Sequence, residues 1–163
     1  MLSKRVARLV VIIAASVIAS CGYQLQGALT VPAEMQRTYV ATVDQHSRFY
    51  RELRAQLRMA GVNLVDTGAD ATATFSILYD ETAQRVLSVS ARNVPTEYEV
   101  YYTIEYALNA GPKTLLDRQT LTLTRDYTYD ATLVLGKARE EELLREAIVK
   151  DLVRVVLKQM STL

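Results

Sequence analysis

The chain has 163 residues, with 19 Lys and Arg against 18 Asp and Glu and a formal net charge of +1. That balance argues against a general nucleic-acid binder. His46 is the only histidine and Cys21 the only cysteine, which excludes a thiol–histidine triad, a Cys/His metal cluster and an internal disulfide.

The N-terminus reads as an export signal. Lys4, Arg5 and Arg8 form a basic region, and Leu9 to Ile18 is apolar apart from Ser16. Such a run is too short to span a bilayer, which takes about 20 apolar residues. Ile18-Ala19-Ser20-Cys21-Gly22 then resembles the lipobox of bacterial lipoproteins, with the aliphatic residue three places before the cysteine. The resemblance implies that residues 1–20 are removed and that Cys21 is lipidated, and Gly22 in place of Asp favours the outer membrane. Taking Lys4, Arg5 and Arg8 from the basic side leaves the acidic residues in excess. Residues 21–36, with Gly22, Gly27 and Pro32, read as a lipidated lead-in and tether. Residues 37–163 are long enough for one domain with its own core.

Residues 37–44 (Arg-Thr-Tyr-Val-Ala-Thr-Val-Asp) carry the β-branched and aromatic side chains of a strand. A helix follows from Ser47 to Ala60, with Ser47 at its N-cap and Gly61 just past its end. Phe49, Leu53, Leu57 and Ala60 share one face. Arg48, Arg51, Arg54 and Arg58 share the other, as either a solvated face or a stripe for anionic lipid or phosphate. Val62–Val65 is a short extended piece, and Thr67–Asp70 a turn.

A long strand occupies Ala71–Ser90, where Phe75, Ile77 and Tyr79 alternate with Thr74, Ser76 and Asp80. The phase blurs near Glu81–Arg85, which a β-bulge explains. After the turn Ala91–Thr96, Glu97–Asn109 is the cleanest period-2 stretch in the chain: Tyr98, Val100, Tyr102, Ile104, Tyr106 and Leu108 point one way. A turn at Ala110–Lys113 leads to a strand over Thr114–Tyr129, with Leu121, Leu123, Arg125, Tyr127 and Tyr129 in one row. Asp130–Lys137 reads as a loop. The final helix runs to about Gln159, acidic at its start (Glu140, Glu141, Glu142) and basic at its end (Arg154, Lys158), as the helix dipole prefers. Its apolar side is broader than one surface needs, so it packs against both the sheet and the first helix, or meets a partner.

The order β-α-β-β-β-α predicts an α+β two-layer sandwich, with two helices on one face of a four-stranded, mainly antiparallel sheet with long central strands. The opposite face carries Thr, Ser and Glu, exposed to solvent or in contact with a hydrated partner. Ten tyrosines against two phenylalanines suit such half-wet surfaces. No phosphate-binding glycine loop and no catalytic frame occurs, so neither an enzyme nor a cofactor or metal site is expected.

Three stretches resemble the LPS-assembly lipoprotein family, LptE: Cys21-Gly22-Tyr23-Gln24-Leu25-Gln26-Gly27; Leu53-Arg54-x-x-Leu57-Arg58-x-x-Gly61-Val62; and Tyr127-x-Tyr129-Asp130 with Val134-Leu135-Gly136-Lys137-x-x-Glu140-Glu141. The resemblance covers essentially the whole chain after residue 20. It implies a lipid-anchored protein on the periplasmic side of the outer membrane. Such a protein sits as plug and assembly partner inside a large β-barrel (the LptD-like LPS translocon subunit) and binds lipopolysaccharide. Family members carry basic residues in the turn between the long strands and at the junction into the last helix, and Arg92 and Lys137 match those positions. Val94-Pro95 departs from the family's glycine-containing turn. A lipoprotein regulating another envelope machine, a cell-wall synthase or barrel-assembly accessory, shares the anchor and the small domain.

Overall fold

The computed structural model describes residues 31–129 and 134–163. The elements are β1 (Arg37–Ala41), α1 (Arg48–Met59), β2 (Asn63–Val65), β3 (Ala73–Val89), β4 (Pro95–Ala110), β5 (Lys113–Thr128) and α2 (Val134–Met160), with 3-10 turns at Ala33–Gln36 and Gly68–Asp70. The fold is α+β, as the sequence predicts. The sheet has five strands in the order β2-β1-β3-β4-β5, and not four.

The additional strand is the piece at Val62–Val65. With three residues it has too little length to show a period. It joins the sheet because α1 carries the chain back over it and lays Asn63, Leu64 and Val65 beside Arg37, Thr38 and Tyr39. A helical crossover of this kind returns a strand parallel to its predecessor. β1 also pairs in parallel with β3, Thr38 beside Ala73 and Ala41 beside Ser76. The sheet is therefore mixed: parallel at its short edge and antiparallel through β3, β4 and β5.

α1 begins and ends as its sequence dictates. The Ser47 hydroxyl accepts the Tyr50 amide at 3.1 Å. At the other end Gly61 takes φ +84°, its amide donates to the Arg58 carbonyl at 3.0 Å, and the Val62 amide donates to the Leu57 carbonyl at 3.0 Å. This left-handed cap favours glycine.

β3, β4 and β5 have 17, 16 and 16 residues, about 50 Å at about 3.3 Å each. β4 alternates buried and half-buried from Val100 to Leu108, so one face of the sheet is covered and the other is open. α2 runs back along the covered face for 27 residues, about 40 Å. Its C-terminal half buries Ile148, Val149, Leu152, Val153, Val156, Leu157 and Met160 against Phe49, Leu53 and Leu57 of α1 and the inner row of the sheet. Phe75 and Tyr106 stack at 5.5 Å between ring centres, and the Tyr106 hydroxyl donates to Gln159 Oε1 at 2.5 Å. Met35, fully buried, shows that packed structure begins ahead of β1.

The blurred phase in β3 is a β-bulge. The register shifts between Ile77 and Tyr79, leaving Leu78 as the extra residue. From there to the second register shift, between Val86 and Ser88, the side chains of β3 change face. Tyr79 therefore lies on the open face opposite Glu105, out of phase with Phe75 and Ile77. The residues turned toward the helices are now Asp80, Thr82 and Gln84, opposite Ile104, Tyr102 and Val100.

Candidate functional site

Two regions matter: the far end of the long strands, and the polar floor between that end and the apolar core. At the far end β3 turns into β4 through Ser90–Val94. The Ser90 amide donates to the Val94 carbonyl at 2.8 Å, and the Ser90 hydroxyl accepts the Arg92 and Val94 amides at 3.3 Å each. Asn93 takes φ 58°, a left-handed conformation that asparagine tolerates better than most residues. The turn thus closes without a glycine, and Arg92 is exposed on it.

The Tyr129 amide donates to the Thr96 carbonyl at 2.8 Å, so β5 ends beside the start of β4. α2 begins at Val134, only a few residues later. The topology therefore brings Arg92 and Lys137 to the same end of the sheet. Lys137 lies in the first turn of α2 and not in a loop. Its Nζ pairs with Glu140 Oε2 at 2.7 Å and its side chain is 18 % exposed. Around the same end Val86, Leu87, Val89 and Val94 are each 45–52 % exposed. Tyr98 stacks on Tyr127 at 5.8 Å and meets Tyr129 edge-on at 5.3 Å. This end therefore offers apolar side chains beside the exposed Arg92, with Lys137 engaged by Glu140.

The polar floor was not recognisable as a unit in the sequence. Asp80 accepts hydrogen bonds from the Tyr102 hydroxyl and the Ser47 hydroxyl, both at 2.5 Å. The N-cap of α1 is thereby tied to the sheet. Burial, and then the bond to Asp80, raises the Tyr102 hydroxyl well above its ordinary pKa. Thr82 accepts from Arg145 of α2 and donates to the Tyr101 carbonyl at 2.9 Å. Gln84 accepts from the Tyr127 hydroxyl at 3.1 Å. Arg145 also clasps Glu141 Oε1 at 2.6 and 3.0 Å. The loss of alternation at Glu81–Arg85 was the one sequence signal of this floor.

The arginine stripe of α1 is divided. Arg48 makes a two-pronged bond to Glu142 of α2 at 2.7 and 2.9 Å, which raises the guanidinium and lowers the carboxyl from their ordinary pKa values. Arg54 lies 5.3 Å from the centre of the Tyr50 ring and donates to its hydroxyl at 2.5 Å. Arg51 lines a groove of about 360 Å³ between the helices with Arg48, Glu52, Glu142, Glu146 and Lys150. Three cations stand against three carboxylates in that groove, and Arg48–Glu142 is an ion pair within it, so the stripe is not purely basic.

Among the described residues no group of three or more His, Cys, Asp or Glu is placed to hold a metal ion, and no helix is long and apolar enough to cross a membrane. Cys21 and the signal segment lie outside the described residues.

The family model for lipopolysaccharide assembly, LptE, matches residues 35–160. This chain belongs to the LptE family. Among curated proteins it is similar to the LPS-assembly lipoprotein LptE of Yersinia pestis (strain Pestoides F) and of Yersinia pseudotuberculosis serotype O:1b, at 24% identity over 159 residues, 97% of this chain and 76% of each relative. Among solved structures it is similar to lipoprotein B from Nitrosomonas europaea, with a TM-score of 0.71 and 26% identity over 86% of this chain and 90% of that one. Rare lipoprotein B from Shewanella oneidensis follows with a TM-score of 0.67 and 25% identity, covering 77% and 94%. LptE membership makes the chain a lipoprotein of lipopolysaccharide assembly at the outer membrane, and the family's name describes assembly, not a reaction.

Proposed function

We propose that this LptE-family chain is the plug and assembly partner of a large outer-membrane β-barrel of LPS export, the role filled by LptD-like subunits. It binds lipopolysaccharide at the far end of its long strands and is held at the periplasmic side of the membrane by lipid on Cys21. The observation that supports the binding site is that Arg92 and Lys137 belong to the same end of the sheet, as do the exposed Val86, Leu87, Val89 and Val94. An LPS molecule offers phosphates for the cations and acyl chains for the apolar side chains. Arginine binds phosphate through paired donors, and lysine as a point charge. Large barrels are polar inside, which suits a plug whose uncovered face is rich in hydroxyls and carboxylates.

Two experiments test this. Affinity purification of the lipidated protein from outer membranes should bring one large β-barrel with it in fixed ratio, and its absence sinks the plug role. The double variant Arg92→Asp, Lys137→Asp, assayed as the isolated domain, should keep its fold and bind lipopolysaccharide at least about ten-fold more weakly, the equivalent of about 1.4 kcal/mol. Unchanged binding removes the assigned site.

A further inference from the structure

The open face of the sheet is the surface that neither helix covers. It extends over three long strands, and its chemistry is one-sided. The carboxylates of Glu81, Glu97, Glu99, Glu105 and Asp126 outnumber the guanidiniums of Arg85 and Arg118. Arg118 pairs with Glu105 at 3.0 Å. Glu97 accepts from the Ser88 hydroxyl at 2.8 Å and Glu81 from the Tyr79 hydroxyl, both neutral donors.

The sharpest imbalance is the row Arg85–Glu99–Asp126. Glu99 and Asp126 stand directly opposite on neighbouring strands, a placement in which like charges destabilise a sheet. Glu99 is only 12% exposed, and Arg85, 65% exposed, is the cation that reaches it, at 2.5 Å. That contact is not aligned as a hydrogen bond, and Glu99 Oε2 has no other partner among the described residues. A solubilising face interleaves both signs. This row keeps two carboxylates against one arginine, Arg85, which also lies 5.8 Å from the centre of the Tyr101 ring.

We propose that the open face is the docking surface for the barrel wall, and that the wall opposite Glu99 and Asp126 carries lysine or arginine side chains. This rests on the plug reading above. The rest of the face fits that occupant. Thr120, Thr122 and Thr124 are exposed on the edge strand β5, and the Thr103 and Thr122 hydroxyls lie 2.9 Å apart. Short hydroxyl side chains on paired strands lose little rotamer entropy on docking and bond readily through bridging water. Charge complementarity fixes register in such wet interfaces.

The test uses the full lipidated chain, purified from outer membranes with its barrel. Glu99→Gln with Asp126→Asn is compared with Glu52→Gln with Glu146→Gln, which removes the same charge from the helix side. The sheet pair should lower barrel recovery about ten-fold in moderate salt without lowering the melting temperature of the domain, and the helix pair should leave recovery unchanged. A photocrosslinking residue at Thr122 should trap the barrel. Recovery unaffected by the sheet pair, or reduced equally by both pairs, overturns the proposal while the plug reading stands. Failure of the unmodified chain to bring down any barrel defeats the plug reading, and this inference with it.

Discussion

At the residue scale, Asp80 and Ser47 decide how the two layers hold together beyond the apolar core. Ser47 is at once the N-cap of α1 and a donor to Asp80. Ser47→Ala therefore removes a cap, which costs about 0.5–2 kcal/mol, and leaves Asp80 Oδ2 short of a donor. The sum should reach about 2 kcal/mol by denaturant unfolding, with secondary structure retained in buffer. Arg48–Glu142 acts differently. Arg48 holds the Glu142 carboxyl below its unfolded pKa. Its contribution is thus present above the unfolded value, about 4.3, and is lost as pH falls through the lower folded value. Both side chains are more than a third exposed, so the effect is small. Melting curves from pH 7 to pH 3 should converge for the parent and Glu142→Gln at the acid end, with the parent ahead only at the neutral end.

At the scale of elements, β4 was legible because the residues from Tyr98 to Leu108 alternate without a break. The first helix was legible from its cap, its apolar stripe and Gly61. β2 was not, because three residues carry no period and its pairing comes from the crossover. β3 was half legible: the blur showed the bulge, but placing it at Leu78, and so moving Tyr79 to the open face, required the register. The start of α2 at Val134 was missed because Gly136 and the charges after it read as loop. The lipobox around Cys21 stands in the sequence as a motif. Arg92 and Lys137 came only through family resemblance, since a turn arginine and a helix-start lysine have no pattern of their own.

α2 itself is two helices in energetic terms. From Ile148 onward its inner side is apolar and buried, whereas between Gly136 and Ala147 no residue is fully buried and the links to the rest of the molecule are Arg145–Thr82 and Glu142–Arg48, with Leu144 partly buried. Local opening is easiest where few apolar contacts must break. Amides of residues 138–146 should therefore exchange well before those of 149–157, and added salt should widen the gap. Uniform protection along the helix contradicts this division.

At the scale of the molecule, the core and the proposed binding end are separate along the sheet. β1 starts beside the beginning of β3, so the chain enters the domain at the end remote from Arg92. A lipid on Cys21 would then pull on one end of the domain while the opposite end meets ligand. Among the described residues, the buried cluster runs from Met35 to Met160. On the proposed reading the contribution of a lipid on Cys21 would be concentration: it would hold the domain at the membrane, where encounter with a membrane barrel becomes a local event. A Cys21→Ser chain exported with a cleavable signal should melt at the same temperature as the lipidated parent. It should be recovered with the barrel in reduced amount at low expression, and in nearly parental amount when overproduced. A lower melting temperature would mean that the lipidated lead-in packs on the domain; recovery that overproduction fails to restore would mean that the lipid itself is part of the barrel contact.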